Sequence, residues 1–228
     1  MIDHHLLPST TTEDNGAGER LLISRPDLSS TSELVFRIVW QLGACEVMPK
    51  TWAVQVYCGM MTDTGGFTFN STRPEIFFII GQLLTKRIDK DKIYRKVYNN
   101  YSSWAIRMRG YVMCNKLNVF EEQHAAYFSI SKKEMHDFHF VKGDAEGLVN
   151  EPLRIKNMRL SISLREDDRV PNLVWVSLRS VDNFPCNKMA ELYFNGGGHL
   201  NASGGRLNCS LQEAEEITRK AIIEFKDS

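Results

Sequence analysis

Five of the chain's fifteen glycines fall between Gly196 and Gly205, in the stretch LYFNGGGHLNASGGRL around His199. Glycine loses more conformational freedom on folding than any other residue, so a folded chain clusters it only where bare backbone is needed. Two needs are compatible with this spacing. The segments on either side approach too closely for a Cβ, or a run of unhindered N–H groups forms a concavity for an anion. The preceding CNKMAELYF has helical spacing, so Gly196 also suits a helix C-terminus.

The bulk properties narrow the choices. A chain of 228 residues makes one large domain or two modest ones. Its 28 basic and 28 acidic residues balance to zero net charge, which argues against a long nucleic-acid track. A small anion needs only a few donors and stays open. The five cysteines, Cys45, Cys58, Cys114, Cys186 and Cys209, show no CxxC or CxxH pairing. That speaks against a zinc site and fits a reducing cytoplasm. No signal peptide is recognisable, and the apolar run FFIIGQLL is too short to span a bilayer.

Along the chain, STTTEDNGAGERLLISRP reads as a polar loop. SSTSELVFRIVWQLG reads as a helix with Ser30 and Glu33 as a capping box and Gly43 as the C-cap. PKTWAVQVYCGMMTDTGGF predicts a second helix that starts at Pro49 and ends near Met61–Thr62, and RPEIFFIIGQLLTKR a third that starts near Pro74. Residues 89–117 read as helical for much of their length. HAAYFSIS, LRIKNMRLSISLRED and NLVWVSLRS then read as strands, CNKMAELYF as a helix, and SLQEAEEITRKAIIEFKDS as a capped amphipathic helix. The expected organisation is a mostly helical region over 1–109, a linker over 110–123, and a smaller α+β region over 124–228.

Several side chains could carry chemistry. Asp3-His4-His5 offers imidazole and carboxylate donors suited to manganese, iron or zinc; taken alone, the tripeptide reads first as a disordered tail. Asp63 sits where a helix gives way to a Gly-Gly loop, and either reaches into a cleft or closes an ordinary Asp turn. Arg179-Ser180 follows a strand and offers a guanidinium fork with a hydroxyl for phosphate, or a surface ion pair. The Gly196-Gly197-Gly198 backbone and His199 complete an anion-binding set, if the glycines are not there for packing. His124, His136 and His139 read as surface or core-edge residues.

The order of these elements is more specific than any one of them. DHH, then TDTGGF, then VWVSLRS, then GGGH resembles the DHH phosphoesterases, and within them the nanoRNase/pAp phosphatase branch with its DHH-associated C-terminal domain. The resemblance covers essentially the whole chain. It implies an α/β fold: the C-terminal part of a DHH catalytic domain, mostly helices, followed by a smaller α+β substrate-binding domain across a cleft. It implies two manganese ions, with magnesium as the alternative. It makes His4 and Asp63 metal ligands, places His5 at the scissile phosphate, and makes Asp3 a ligand or its support. Arg179, Ser180, Gly196, Gly197, Gly198 and His199 would hold the nucleotide. The implied substrates are short oligoribonucleotides and 3′-phosphoadenosine 5′-phosphate, and paired subunits are a further implication.

The chain also departs from the family pattern. It has no His-x-x-x-Asp-x-Asp motif and no further Asp upstream of DHH. The expectation is therefore a C-terminal fragment, with the parallel sheet largely missing, weak metal binding and low turnover. A cyclic-dinucleotide phosphodiesterase is the competing activity within the family, with exopolyphosphatase weaker still. A non-catalytic nucleotide-binding module is the alternative of another class.

Overall fold

The computed structural model describes residues 1–5 and 22–226. The chain divides into two compact units, Met1–Asn100 and Tyr101–Ser228. The polar loop expected over 9–26 lies mainly outside the described residues. Its end is not loop: Ile23–Ser24 form a strand.

In the first unit, β1 (Ile2–Asp3) pairs in parallel with β2 (Ile23–Ser24). Four helices follow, α1 (Thr31–Gln41), α2 (Lys50–Asp63), α3 (Pro74–Thr85) and α4 (Lys90–Tyr98). Phe36, Ala53, Met60, Met61, Ile76 and Leu83 bury their apolar faces in one core. The start and stop signals operate as the sequence predicts. Ser30 caps α1 by accepting from the Glu33 N–H at 3.0 Å, and Gly43 adopts a positive φ of 69° just past the helix. Pro49 and Pro74 open α2 and α3.

The expected capping box forms only in half: the Glu33 carboxylate accepts from Ser29 and not from the Ser30 N–H, and it anchors a buried network instead. The Glu33 side chain is fully buried. One oxygen accepts from the backbone N–H and hydroxyl of Ser29 at 2.8 and 2.7 Å, and the other from Arg37 at 2.8 and 3.0 Å. Arg73, just ahead of α3, adds a bond of 2.8 Å. Burial alone would raise this carboxyl's pKa; the hydrogen bonds from Ser29 and Arg37 and the charge of Arg73 outweigh it and hold the group below its usual value.

The long helical stretch breaks at Asn99–Ser102, where α4 ends and Ser102 caps α5 (Ser103–Asn115). The units divide at this break. Residues 110–123, read as linker, instead hold the second half of α5 and strand β3 (Asn118–Phe120). Met108 and Val112 of α5 are buried against Phe128, Ile130 and Leu148, and this tethers the helix to the second unit.

The second unit continues with β4 (Ala125–Ile130), α6 (Lys132–Asp137), a 3-10 helix (Leu148–Arg154), β5 (Leu160–Glu166) and β6 (Val174–Ser180). It ends with α7 (Cys186–Tyr193), β7 (Gly197–His199), β8 (Ala202–Leu207) and α8 (Leu211–Glu224). The sheet order is β3-β4-β5-β6-β8-β7, antiparallel except for β4–β5. Leu153 and Arg154, read as strand, lie in the 3-10 helix, because Pro152 has no N–H to give to a ladder. On one face of the sheet Leu160, Ile162 and Leu164 of β5 and Val174, Val176 and Leu178 of β6 meet α7 and α8.

Glu33→Gln is expected to cost about 2–4 kcal/mol of stability at neutral pH, because it leaves the arginines facing a neutral group in a buried site. A carboxyl held below its unfolded value stabilises the fold above that value, and the contribution is lost as pH falls through the folded one. The deficit of the variant should therefore shrink on acidification below about pH 4 in urea unfolding. A deficit that stays constant down to pH 2.5 would contradict this account.

Candidate functional site

The first unit gathers Asp3, His4 and His5. One donor atom from each lies within 4.8 Å of the others. The Asp3 carboxylate organises the group. Its Oδ1 accepts from the His4 N–H at 2.7 Å and the Thr31 hydroxyl at 3.1 Å, and lies 2.9 Å from His5 Nδ1. His4 Nδ1 lies 2.8 Å from Thr31 Oγ1. The two rings sit 4.1 Å apart at 45°. The bond from His5, with those from the backbone and Thr31, draws the Asp3 pKa down to about 2, so it is an anion throughout the neutral range. Both imidazoles are thus held at Nδ1. One carboxylate and two imidazoles so arranged fit a divalent transition-metal ion.

Asp63 is the last residue of α2, as expected, and does not close the turn after it. Thr64 does, donating to the Met60 carbonyl at 2.7 Å and accepting from the Phe67 N–H at 3.1 Å. The Asp63 side chain is exposed, yet the protein around it excludes enough water to push its carboxyl up, while charge on His4 and His5 pulls it back. The structure thus brings Asp63 within electrostatic reach of the histidines, outside their 4.8 Å cluster.

The second unit holds the other group. β6 pairs with β5 and β8 in a strict register: Ser161, Arg179 and Ala202 form one row, and Ser163, Ser177 and Gly204 the next. β7 adds His199 opposite Ala202 and Gly197 opposite Gly204. Partners in a row share a face, so Arg179 and His199 stand on the same face, two strand spacings or about 10 Å apart. Arg179 is half-buried and donates to the Leu178 carbonyl at 2.9 Å.

Ser180 points the other way. It is buried, donates to the Phe184 carbonyl at 2.8 Å and accepts from Asn201 Nδ2 at 3.0 Å. Its hydroxyl ties the turn before α7 to the β7–β8 turn, a supporting place instead of the phosphate contact expected from the sequence. Alternation along a strand forces this, since Arg179 and Ser180 cannot both face one ligand.

The glycines divide in the same way. A Cβ on Gly196 would sit 1.9 Å from the Gly204 carbonyl oxygen, one on Gly205 2.3 Å from that of Phe194, and one on Gly198 2.7 Å from that of Ala202. These three are required by close backbone packing. Gly197 is different: its Cβ would meet nothing nearer than Glu191 at 3.8 Å.

Sequence reasoning missed Thr31, which orients both Asp3 and His4, and Asn201, which holds Ser180. Neither has a motif; each matters only through contacts made at a distance along the chain. It also missed Arg165 and Trp175, which stand opposite each other one row beyond Ser163 and Ser177. The period-2 spacing of Arg165 in LSISLRE and Trp175 in VWVSLRS was the available signal.

No family model matches the chain. It is 26% identical over 217 residues to the bifunctional oligoribonuclease and PAP phosphatase NrnA of Bacillus subtilis, covering 95% of this chain and 64% of that protein. It is 28% identical to the probable enzyme of the same name from Streptococcus mutans, again over 95% and 64%. An exopolyphosphatase-related protein from Bacteroides fragilis has the same fold, with a TM-score of 0.90 and 49% identity over 98% of this chain and 63% of that one. The chain thus spans just under two thirds of the length of these relatives. Among the described residues no helix is long and apolar enough to cross a membrane. With its DHH cluster assembled around one carboxylate and its LRS strand and GGGH hairpin in a single sheet, this chain is similar, over nearly its whole length, to proteins named as NrnA-type bifunctional oligoribonucleases and PAP phosphatases.

Proposed function

We propose that this chain contributes to a manganese-dependent hydrolysis of phosphoesters in short oligoribonucleotides and 3′-phosphoadenosine 5′-phosphate. The observation that carries the reading is the Asp3-His4-His5 cluster, with donor atoms within 4.8 Å and both imidazoles tied through Nδ1. The names of the relatives supply the substrate class. When bound, a divalent cation polarises the phosphoryl group and lowers the pKa of an attacking water.

The chain's own residues have separable tasks. Asp3 supplies negative charge and holds His5 in place. His4 and His5 offer imidazole nitrogen to the ion. His5 is the more exposed of the two and the better placed to meet a scissile phosphate. Asp63 supplies a further carboxylate within electrostatic reach of the histidines. These four residues are enough for one ion; a pair needs more ligands than they provide. Arg179 presents a planar fork to a phosphate, His199 a ring N–H on the same face, and Gly197 an unobstructed backbone in the neighbouring row.

Manganese titrated into the chain by calorimetry is expected to bind at about one ion per chain. His4→Ala should abolish that binding, and Thr31→Ala should weaken it about tenfold, the range seen when a supporting partner of a ligand is removed. Absence of binding to the unaltered chain, together with no AMP release from 5′-phosphorylated diadenylate in manganese, would overturn the proposal.

His199→Ala should weaken AMP binding while leaving manganese affinity unchanged. A loss of metal would place His199 at the ion instead.

Gly197→Ala should fold as the parent does and bind AMP less tightly. Gly196→Ala should lower the melting temperature outright, since overpacking against backbone costs about 1–3 kcal/mol or more.

A further inference from the structure

The open face of the second unit's sheet carries a cleft of about 650 Å³, of ligand-binding size. Arg179 lines one end of it, Ser163 and Ser177 line its middle, Arg165, Trp175 and Phe140 line the far end, and Lys142 is a further cation on its wall. The strand register explains the layout. Arg179, Ser177 and Trp175 alternate along β6 with the buried Leu178 and Val176, and Ser163 and Arg165 answer them from β5. Arg179 and Trp175 are four residues apart on one strand, so the cleft runs about 13 Å between them. Small side chains floor the middle, where a bulky residue would fill the space.

The far end is prepared for more than charge. Trp175 is 40% exposed, and its indole N–H donates to Asp167 Oδ2 at 2.7 Å. The other oxygen of Asp167 accepts from the N–H groups of Arg169 and Val170 at 2.8 and 2.7 Å. The acid is therefore engaged in holding the ring and the turn. Arg165 lies over the Phe140 ring with 5.5 Å to its centroid. Of the remaining charges on the wall, Asp168 and Arg169 face each other at 3.8 Å, and Glu146 adds one further acid. Lys142, Arg165 and Arg179 form no salt bridge within 4.0 Å among the described residues. An exposed aromatic face beside cations that no carboxylate meets within 4.0 Å, continuous with a second cation on the same strand, is the composition of a single-strand nucleic-acid groove.

We propose that this cleft is a subsite for a second nucleotide. On the reading that Arg179 and His199 hold one nucleotide, Trp175 stacks the base of the next, and Arg165 with Lys142 takes its phosphate. The cleft then distinguishes dinucleotides and longer oligomers from mononucleotides. Its electrostatic share is short-range and local, which is consistent with a chain of zero net charge.

The test is calorimetry on the full chain with chelator present, so that binding is read without turnover. The probes are AMP and 5′-phosphorylated diadenylate. The unaltered chain should bind diadenylate more tightly than AMP. Trp175→Ala and Arg165→Gln should each weaken diadenylate binding about tenfold, the usual worth of one stacked base, and leave AMP within about twofold. Trp175→Phe keeps a ring and should retain most of the affinity; thermal melting separates a binding loss from a folding loss. Equal affinity of the unaltered chain for both probes, or folded Trp175→Ala and Arg165→Gln proteins that hold diadenylate as tightly as the parent, would overturn the inference while the proposed function stands. Failure to bind either probe would remove the nucleotide site itself, and this subsite with it.

Discussion

Strand β6 is the constraint on which the second unit rests. It pairs along its whole length with β5 on one side and with β8 over most of its length on the other. Val174, Val176 and Leu178 are buried on one face against α7 and α8. A slip of one residue would carry all three into water and bring Trp175, Ser177 and Arg179 into the core. The apolar face thus fixes which residues reach the opposite face. Arg179, Ser177 and Trp175 are presented there because their neighbours cannot be, and β8 and β7 extend the same rows to Gly204, Gly197 and His199. Close packing of the hairpin backbone against itself and against the end of α7, at Gly196, Gly198 and Gly205, holds that extension in place.

The first unit solves a different problem. Its cluster is built on two residues per strand, too short a pairing to be rigid alone. Rigidity comes from α1. Thr31, the first residue of that helix, bonds both the Asp3 carboxylate and the His4 ring. Two residues on, Glu33 anchors the same helix turn to Ser29, Arg37 and Arg73 through a buried anion. The donor atoms are therefore positioned from a helix start that is itself fixed by a charge network. This links the least regular part of the unit to its packed core.

Much of this was legible in the sequence where the signal is local. Caps at Ser30 and Ser210, prolines at helix starts and the alternation in VWVSLRS all depend on near neighbours, and the elements they predict are present. The errors occurred where a distant contact decides. The break at Asn99–Ser102 divides a stretch read as helical for much of its length, and α5 goes to the second unit because Met108 and Val112 find partners in Phe128 and Ile130. Leu153 and Arg154, the start of a stretch that reads as strand, belong to the end of a 3-10 helix. Glu33 looks like a capping residue from its spacing, and only the fold surrounds it with two arginines.

The candidate site divides along the same line. The residue types are a property of the sequence: a carboxylate with two imidazoles, a guanidinium, and glycines around a histidine. Their chemistry follows from composition and order, which is why the family resemblance was visible before any geometry. Which atoms meet was decided by tertiary structure. Asp3 Oδ1 collects its partners because β1 is laid beside the start of α1, and Ser180 turns inward because a strand cannot show adjacent side chains to one ligand. The glycines look alike in sequence, yet three are needed for backbone contact and Gly197 is not. That distinction exists only once β7 and β8 are folded against α7, because steric demand is a relation between chain segments and no single residue encodes it.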